Sequence, residues 1–254
     1  MIPKVIHYCW FGRNPLPESA IKCINSWKKF FPDYEIKEWN EDNFDVNIIP
    51  YTKEAYEAKK YAFVSDYARF WILYHHGGLY FATDVEVSKP MDDIINDGAF
   101  MGIEKLNPSI HNVDTESMVN PGLGLGAQAH HPLFKEVIDY YTGLHWCDDN
   151  GNQLPGTVVH HTTKILLKHG FVQSNKKQSF DGITIYPSDV FCPMDSTTGI
   201  TKITPNSVSI HHYTCSWLDQ NSFSFRVHLF KKWCVKILGG KFVSFVANIL
   251  KGRL

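Results

Sequence analysis

Hydrophobic positions along this chain fall into short runs separated by amphipathic stretches. Val5 to Trp10 predicts a buried strand, and Phe11-Gly12-Arg13-Asn14-Pro15 supplies the turn residues that follow it. From Glu18 to Phe30 the apolar residues Ile21, Ile24, Trp27 and Phe30 recur at helical spacing, and Tyr34 to Trp39 alternates as a second strand. Thr52 to Lys60 predicts a helix. Ser65 is read as an N-cap, with Asp66 at the positive end of a helix running to His76 and stopped by Gly77-Gly78.

The alternation continues downstream. Leu79 to Val87 predicts a strand ending in acids, and Ala99 to Ile103 another short strand. Asn107 to Pro121 is polar and reads as loop. Gly122 to Ala127 is too glycine-rich for an ordinary helix, and its G-x-G-x-G spacing does not fit a dinucleotide fingerprint. Pro132 opens a helix to Tyr141, and His160 to His169 predicts a helix closed by Gly170. Ile183 to Pro187 and Ser207 to His212 read as late strands. Strands alternating with helices predict an α/β domain.

Composition narrows the class. At 254 residues and 44% hydrophobic, the chain can bury one substantial core. A formal net charge of -1 gives no global signal for nucleic acid. The cysteines Cys9, Cys23, Cys147, Cys192, Cys215 and Cys234 are scattered without a C-x-x-C pair, so reduced thiols and no zinc site are expected. Met1-Ile2-Pro3-Lys4 leads straight into the first strand, with no signal peptide and no run long enough to span a bilayer, so a cytoplasmic location is expected.

The richest chemistry lies at Gly77-Gly78-Leu79-Tyr80-Phe81-Ala82-Thr83-Asp84-Val85-Glu86-Val87. Two acids one residue apart at a strand end can aim at one cation. Hard oxygen ligands suit Mg2+ or Mn2+, which can hold a diphosphate. On the preceding helix Asp66 and Arg69 share a face. Late in the chain comes His211-His212-Tyr213-Thr214-Cys215-Ser216-Trp217. Each piece also has a plainer reading: Trp10 as a core side chain, Asp66 and Arg69 as a local ion pair, the paired histidines as surface or capping groups.

Together, Trp10 with Phe11-Gly12, Ser65-Asp66-Tyr67-Ala68-Arg69, the Gly-Gly-strand-acid unit and the late His-to-Trp segment resemble the DxD sugar transferases of glycosyltransferase family 32. More distantly they resemble the glucosylating domain of large clostridial toxins. The resemblance implies a GT-A fold, a nucleotide-binding α/β sheet flanked by helices, over residues 1–220, with a C-terminal helical appendage at 221–254. It implies a metal-dependent, retaining transfer of sugar from a nucleotide-sugar donor to a glycan, as in capsule or exopolysaccharide synthesis. The donor expected is a UDP-sugar, with GDP-sugars as the alternative.

Carried over residue by residue, Trp10 would stack on the base. Asp66 would bind sugar hydroxyls, and Arg69 the sugar or diphosphate. Asp84 and Glu86 match the two acids, Glu86 departing from the family's aspartate. Asp84 would contact ribose or sugar, and Glu86 would bind Mn2+ or Mg2+. His212 is the expected third metal ligand, with His211 the alternative. Ser216 and Trp217 would close over the diphosphate, Trp217 Nε1 donating to the leaving oxygen. Asp66, Arg69, Asp84 and Trp217 form the expected catalytic set. With no nucleophile standing out, front-face attack is expected. The competing classes are a sugar-nucleotide hydrolase or nucleotidyltransferase, and a non-catalytic glycan- or nucleotide-binding protein.

Beyond Asp219 no acidic residue occurs, whereas Arg226, Lys231, Lys232, Lys236, Lys241, Lys251 and Arg253 alternate with aromatic and aliphatic residues. Such a basic amphipathic segment can lie on an anionic membrane surface, at the inner face of a plasma membrane for an acceptor linked to polyprenyl diphosphate. Packing on the domain or on a second subunit is the alternative. Deleting the residues after Asn221 should release the protein from anionic vesicles in a sedimentation assay. A truncated chain that still sediments would show that the tail is not the anchor.

Overall fold

The computed structural model describes residues 1–105, 117–196 and 199–214. Ser216, Trp217, Cys215, Cys234, the basic tail and the expected boundary at 220 lie outside the described residues.

The first half follows the predicted alternation: β1 (Val5–Cys9), α1 (Glu18–Phe30), β2 (Glu35–Trp39), α2 (Pro50–Glu57), α3 (Tyr61–His76) and β3 (Gly78–Tyr80). Then come β4 (Val85–Val87), α4 (Asp92–Asn96), β5 (Ala99–Lys105), β6 (Ser117–Val119) and β7 (Leu125–Ala127). The remainder is α5 (Pro132–Thr142), α6 (Val158–Lys168), β8 (Gln178–Phe180), β9 (Ile183–Tyr186), α7 (Ser188–Phe191) and β10 (Ser209–His211). The main sheet has the order β2-β1-β3-β7-β5-β9-β8, with β6 on β5, while β4 and β10 form a separate two-stranded ladder.

In the main sheet β1 runs parallel to β2 and β3, β7 runs antiparallel to both β3 and β5, and β9 runs parallel to β5. The carboxyl ends of β1, β3 and β5 therefore point to one edge. In open α/β sheets that edge is where ligands bind. Helices cover both faces. Phe70, Leu73, Phe134 and Tyr141 fill the core under α2, α3, α5 and α6. Trp27, Phe31, Phe81 and Phe191 fill the opposite core under α1, α4 and α7. This is the helix-flanked α/β sheet that the alternation predicts.

Several elements differ in detail from the sequence pattern. The buried stripe of α1 is Ala20, Cys23, Ile24 and Trp27, and Ile21 is 45% exposed. Helix α3 starts at Tyr61, not at Ser65, because Phe63 and Val64 belong to its buried face. The Ser65 hydroxyl instead donates to Tyr61 O at 3.2 Å, a back-bond within the helix. The acid-bearing strand is split: Val85 N donates to Ala82 O at 3.0 Å, and this turn ends β3's path and starts β4 in another ladder.

The glycine-rich segment is not wholly irregular. Leu125–Ala127 pairs with β3, because Gly126 lets a ring lie flat on the backbone. A Cβ there would meet Phe100 Cε1 at 2.6 Å. Cys9, Cys23, Cys147 and Cys192 are free thiols. No helix of the described residues is long and apolar enough to cross a membrane.

On the surface His169, just after α6, ties three segments together. Its Nδ1 meets Asp181 at 2.5 Å and its Nε2 meets Glu136 at 2.6 Å. The hydrogen bonds to Asp181 and Glu136 raise its pKa above the usual imidazole value. A raised folded-state pKa stabilises the fold fully at acidic pH and loses that effect as pH climbs through the raised value. His169→Gln should cost about 1 kcal/mol of unfolding free energy at acidic pH and progressively less in alkaline buffer. Urea unfolding of both proteins across that range is the check, and a cost that grows with pH would refute the assignment.

Candidate active site

Strand β1 ends at Cys9, and Trp10 follows it at the carboxyl edge, half-buried, with its N–H bonded to Trp39 O at 2.8 Å. The indole Nε1 donates to Asn14 O at 2.6 Å, which holds the ring against the turn that the sequence predicts. Pairing of His7 with Tyr80 sets β3 beside β1, so Trp10 and the Ala82–Val85 turn emerge side by side.

Beneath that edge, α3 brings Asp66 and Arg69 together at 2.8 Å, with both residues buried. Arg69 Nε donates to Ser65 O at 2.9 Å, and the guanidinium lies 5.1 Å over the Tyr80 ring. Burial raises the Asp66 carboxyl to about 6, against the pull of Arg69 and of the Val158 N–H. The plainer reading of an exposed local ion pair does not hold, because these side chains are only 6% and 11% exposed.

Asp84 sits in the turn before β4. Its Oδ1 lies 3.2 Å from His211 Nε2, and its Oδ2 accepts from Thr214 N at 3.0 Å and from the Thr214 hydroxyl at 3.2 Å. Burial alone would raise its pKa. The facing His211, with Thr214, outweighs burial and holds it well below the usual carboxylate range. Burial would correspondingly lower His211, but Asp84 and Glu104 hold it above its usual value, against Arg69.

Glu86 goes elsewhere. Val85 and Val87 are buried, and Glu86 between them faces the other way, as strand alternation requires. It pairs with His212 Nε2 at 2.8 Å and with Lys22 of α1 at 3.6 Å. Register explains the split: His211 stands opposite Val85 and Ile210 opposite Glu86, so His211 turns inward and His212 outward. The sequence pattern groups Asp84, Glu86 and His212, whereas the structure forms two separate pairs, Asp84 with His211 and Glu86 with His212. Among the described residues no three His, Cys, Asp or Glu side chains are grouped to hold a metal ion. The expected ligands Asp84, Glu86 and His212 are not brought together as a set of three. Of the two pairs, Asp84–His211 is the one on which Arg69 acts electrostatically.

Three residues not singled out in the sequence complete the site. Glu104, at the carboxyl end of β5, is buried and accepts from Asn120 Nδ2 at 2.7 Å and from the Tyr213 hydroxyl at 2.9 Å. The Tyr213 ring packs edge-on against His211, with ring centres 4.2 Å apart. Asn120 Oδ1 accepts from Gly122 N at 2.7 Å, and a Cβ on Gly122 would come within 3.5 Å of Arg69 Nη1. Asn120, Glu104 and Tyr213 thus form one hydrogen-bonded run, which the Tyr213 ring joins to the Asp84–His211 pair, while Gly122 brings the Asn120 turn close to Arg69. An acid ending the apolar run of β5 was the available signal for Glu104.

Residues 17–101, which hold Asp66, Arg69, Asp84 and Glu86, match the profile of the family described as "Glycosyltransferase sugar-binding region containing DXD motif". Over this segment the chain is similar to DXD glycosyltransferase sugar-binding regions. Among curated proteins, inositol phosphoceramide mannosyltransferase 1 of Schizosaccharomyces pombe is 30% identical over 39% of this chain and 33% of its own length. An uncharacterized glycosyltransferase, L373, of Acanthamoeba polyphaga mimivirus is 31% identical over 54% of this chain and 55% of its own. Mannosyl phosphorylinositol ceramide synthase CSH1 of Saccharomyces cerevisiae is 27% identical over 54% and 35%.

The chain thus spans about a third to a half of the length of these relatives. Among solved structures, the PaToxG glycosyltransferase overlays with a TM-score of 0.45 at 20% identity, covering 66% of this chain and 69% of its own. The galactosyltransferase LgtC overlays with a TM-score of 0.44 at 14% identity, covering 90% and 95%. Overlays at that level carry no argument about the site.

The split of the acids gives a direct test within the DXD region. With UDP present, Asp84→Asn should weaken Mn2+ binding about tenfold or more, whereas Glu86→Gln should change it by no more than about threefold. Calorimetric titration reads both. Equal losses would place both carboxylates on the cation.

Proposed function

We propose that this protein is a glycosyltransferase that moves a sugar from a nucleotide-sugar donor to a glycan acceptor. The observation that carries the reading is the buried Asp66–Arg69 pair together with the Asp84–His211 pair, on whose histidine Arg69 acts electrostatically, with both acids in a segment similar to DXD regions. A buried ion pair is a poor device for stability, since the desolvation of both charges offsets their attraction. A site that must grip hydroxyls and a diphosphate gives these charges work. Trp10 offers a face for a base. Asp66, an acceptor of hydrogen bonds once ionised, suits sugar hydroxyls. Arg69 suits a phosphate or sugar oxygen.

In transfer the bond from the anomeric carbon to the diphosphate oxygen breaks, and negative charge builds on the leaving group. Arg69 would stabilise that charge where it develops. Asp84 and His211 would hold a divalent cation, Mn2+ or Mg2+, which when bound would neutralise the diphosphate. No nucleophile for a double displacement stands out in the sequence. The acceptor hydroxyl is therefore assigned to attack on the leaving-group face and to hand its proton to the departing phosphate. UDP-sugars are the proposed donors. Relatives named mannosyltransferases add mannosyl donors. A role in capsule or exopolysaccharide synthesis and contact of the tail with an anionic membrane belong to the same proposal.

Incubation with UDP-glucose, UDP-galactose, UDP-N-acetylhexosamines and GDP-mannose, with and without glycan acceptor, should show acceptor-dependent gain of one sugar by mass spectrometry. Chelation should abolish it. Asp66→Asn should lower kcat/KM about 100-fold, because the amide N–H2 replaces an acceptor oxygen. Release of free sugar at the same rate with and without acceptor would favour the hydrolase instead.

A further inference from the structure

A concavity lies between α2, the segment after α5 and the start of α6. It encloses about 350 Å³ and is lined by Tyr51, His145, Trp146, Leu154, Gly156 and His161, among others. Its wall is built, not a chance gap between side chains. Glu54 of α2 accepts from Trp146 N at 2.8 Å and from Cys147 N at 3.4 Å, and meets His145 Nδ1 at 2.6 Å. The far side of the loop closes on itself through Leu154 N to Trp146 O at 2.8 Å and Asp148 N to Asn152 O at 2.9 Å. Gly156, at φ +115°, lets the chain pass so close to His161 that a Cβ would meet its Nε2 at 2.9 Å.

Its chemistry selects a neutral, hydroxyl-bearing ligand. Among the described residues the lining holds four aromatic or imidazole rings and no Lys, Arg, Asp or Glu. A phosphate or diphosphate would meet no Lys or Arg there. Tyr51 and Trp146 are only 3% and 5% exposed, yet Tyr51 Oη and Trp146 Nε1 have no hydrogen-bond partner among the described residues. Buried donors of this kind cost about 1–3 kcal/mol each unless a ligand or water pairs them. An alkyl chain would leave them unpaired, whereas a sugar ring offers hydroxyls at its rim and C–H faces for the rings.

The location ties this concavity to the first site. The lining segment Pro155–Gly156 leads into α6, whose Val158 N–H supports the Asp66 carboxylate. The Tyr51 hydroxyl lies within the electrostatic reach of Asp66 and Arg69. Tyr51 packs edge-on against Tyr141 at 5.0 Å, so a wall of rings separates the concavity from Asp66. The transferred sugar on Asp66 cannot occupy both places.

We infer that this concavity is a saccharide subsite that holds a neutral sugar ring of the acceptor, set apart from the donor sugar by that wall. The inference rests on the transferase reading for its role, but not for its binding chemistry, and the two can be tested apart. In 1H-15N spectra the indole N–H of Trp146, assigned with Trp146→Phe, should shift on titration with methyl hexopyranosides or short neutral oligosaccharides. Leu154→Trp, at a 39% exposed position on the rim, should fill the space and remove the shift. In turnover assays the same variant should raise the acceptor KM about tenfold, with donor KM changed less than about twofold.

An indole signal unmoved by every saccharide, or moved equally by an alkyl phosphate, overturns the subsite. So does an acceptor KM indifferent to Leu154→Trp. Saccharide-dependent shifts in a protein that consumes no sugar nucleotide would keep the subsite and sink the transferase reading instead.

Discussion

The short pairing of β4 with β10 is the constraint on which the site depends. Three residue pairs bring His211 to Asp84 across half of the chain. So small a ladder would be marginal alone. It is held from its other edge by α1: Trp27 Nε1 donates to Val85 O at 2.8 Å, and Val87 N donates to Ser26 Oγ at 2.9 Å. Trp27 is fully buried against Tyr8 and Phe81. The packing that fixes the second core therefore also fixes the carboxylate that the site uses. His212 N bonded to Asp84 O at 2.9 Å extends the ladder to the residue that matters most.

The second demand on the fold is to bury a guanidinium. Arg69 is 5% exposed and spends its donors on Asp66 and Ser65 O, with the Tyr80 ring beneath. Each contact comes from a different structural choice: the i, i+3 spacing on α3, the carbonyl one turn back, and the register that puts Tyr80 at the end of β3. Removing Asp66 would leave an uncompensated buried charge, which is far costlier than never having buried the pair. Glu104 adds a further buried carboxylate, satisfied by Asn120 and Tyr213. In both clusters most members fix a neighbour, which makes buried polar groups a source of rigidity when each is satisfied.

Much of this was legible in the sequence, for physical reasons. Apolar runs of strand length and a 3.6-residue period in α1 and α3 follow directly from what each face must bury. Gly77 and Gly78 mark the end of α3 because the chain there takes positive φ. Asp66 with Arg69 was readable because three residues on a helix is a local distance. Legibility failed where long-range pairing decides. Neither His211's inward turn nor Glu104's link to Tyr213 can be read without the register that joins segments about a hundred residues apart. Ser65 misled because a good capping residue can also bond back to its own helix when hydrophobic neighbours pull the helix start earlier. The aromatic concavity left no motif, since its lining comes from α2, a loop and α6.

Glu86 shows most clearly how spacing and geometry part company. Two acids at i and i+2 share a face only while the strand between them is continuous. Here the Ala82–Val85 turn interrupts it, so Asp84 swings inward to His211 and Thr214 while Glu86 keeps the outward face that Val85 and Val87 leave to it. Lys22 and His212 then give Glu86 a surface role in fastening α1 and the residue after β10 to β4. A glutamate where the resemblance implies an aspartate thus has a structural partner of its own. Its longer side chain spans the distance to the histidine just after β10, whereas the Asp84 carboxylate is the one the fold draws inward to His211 and Thr214.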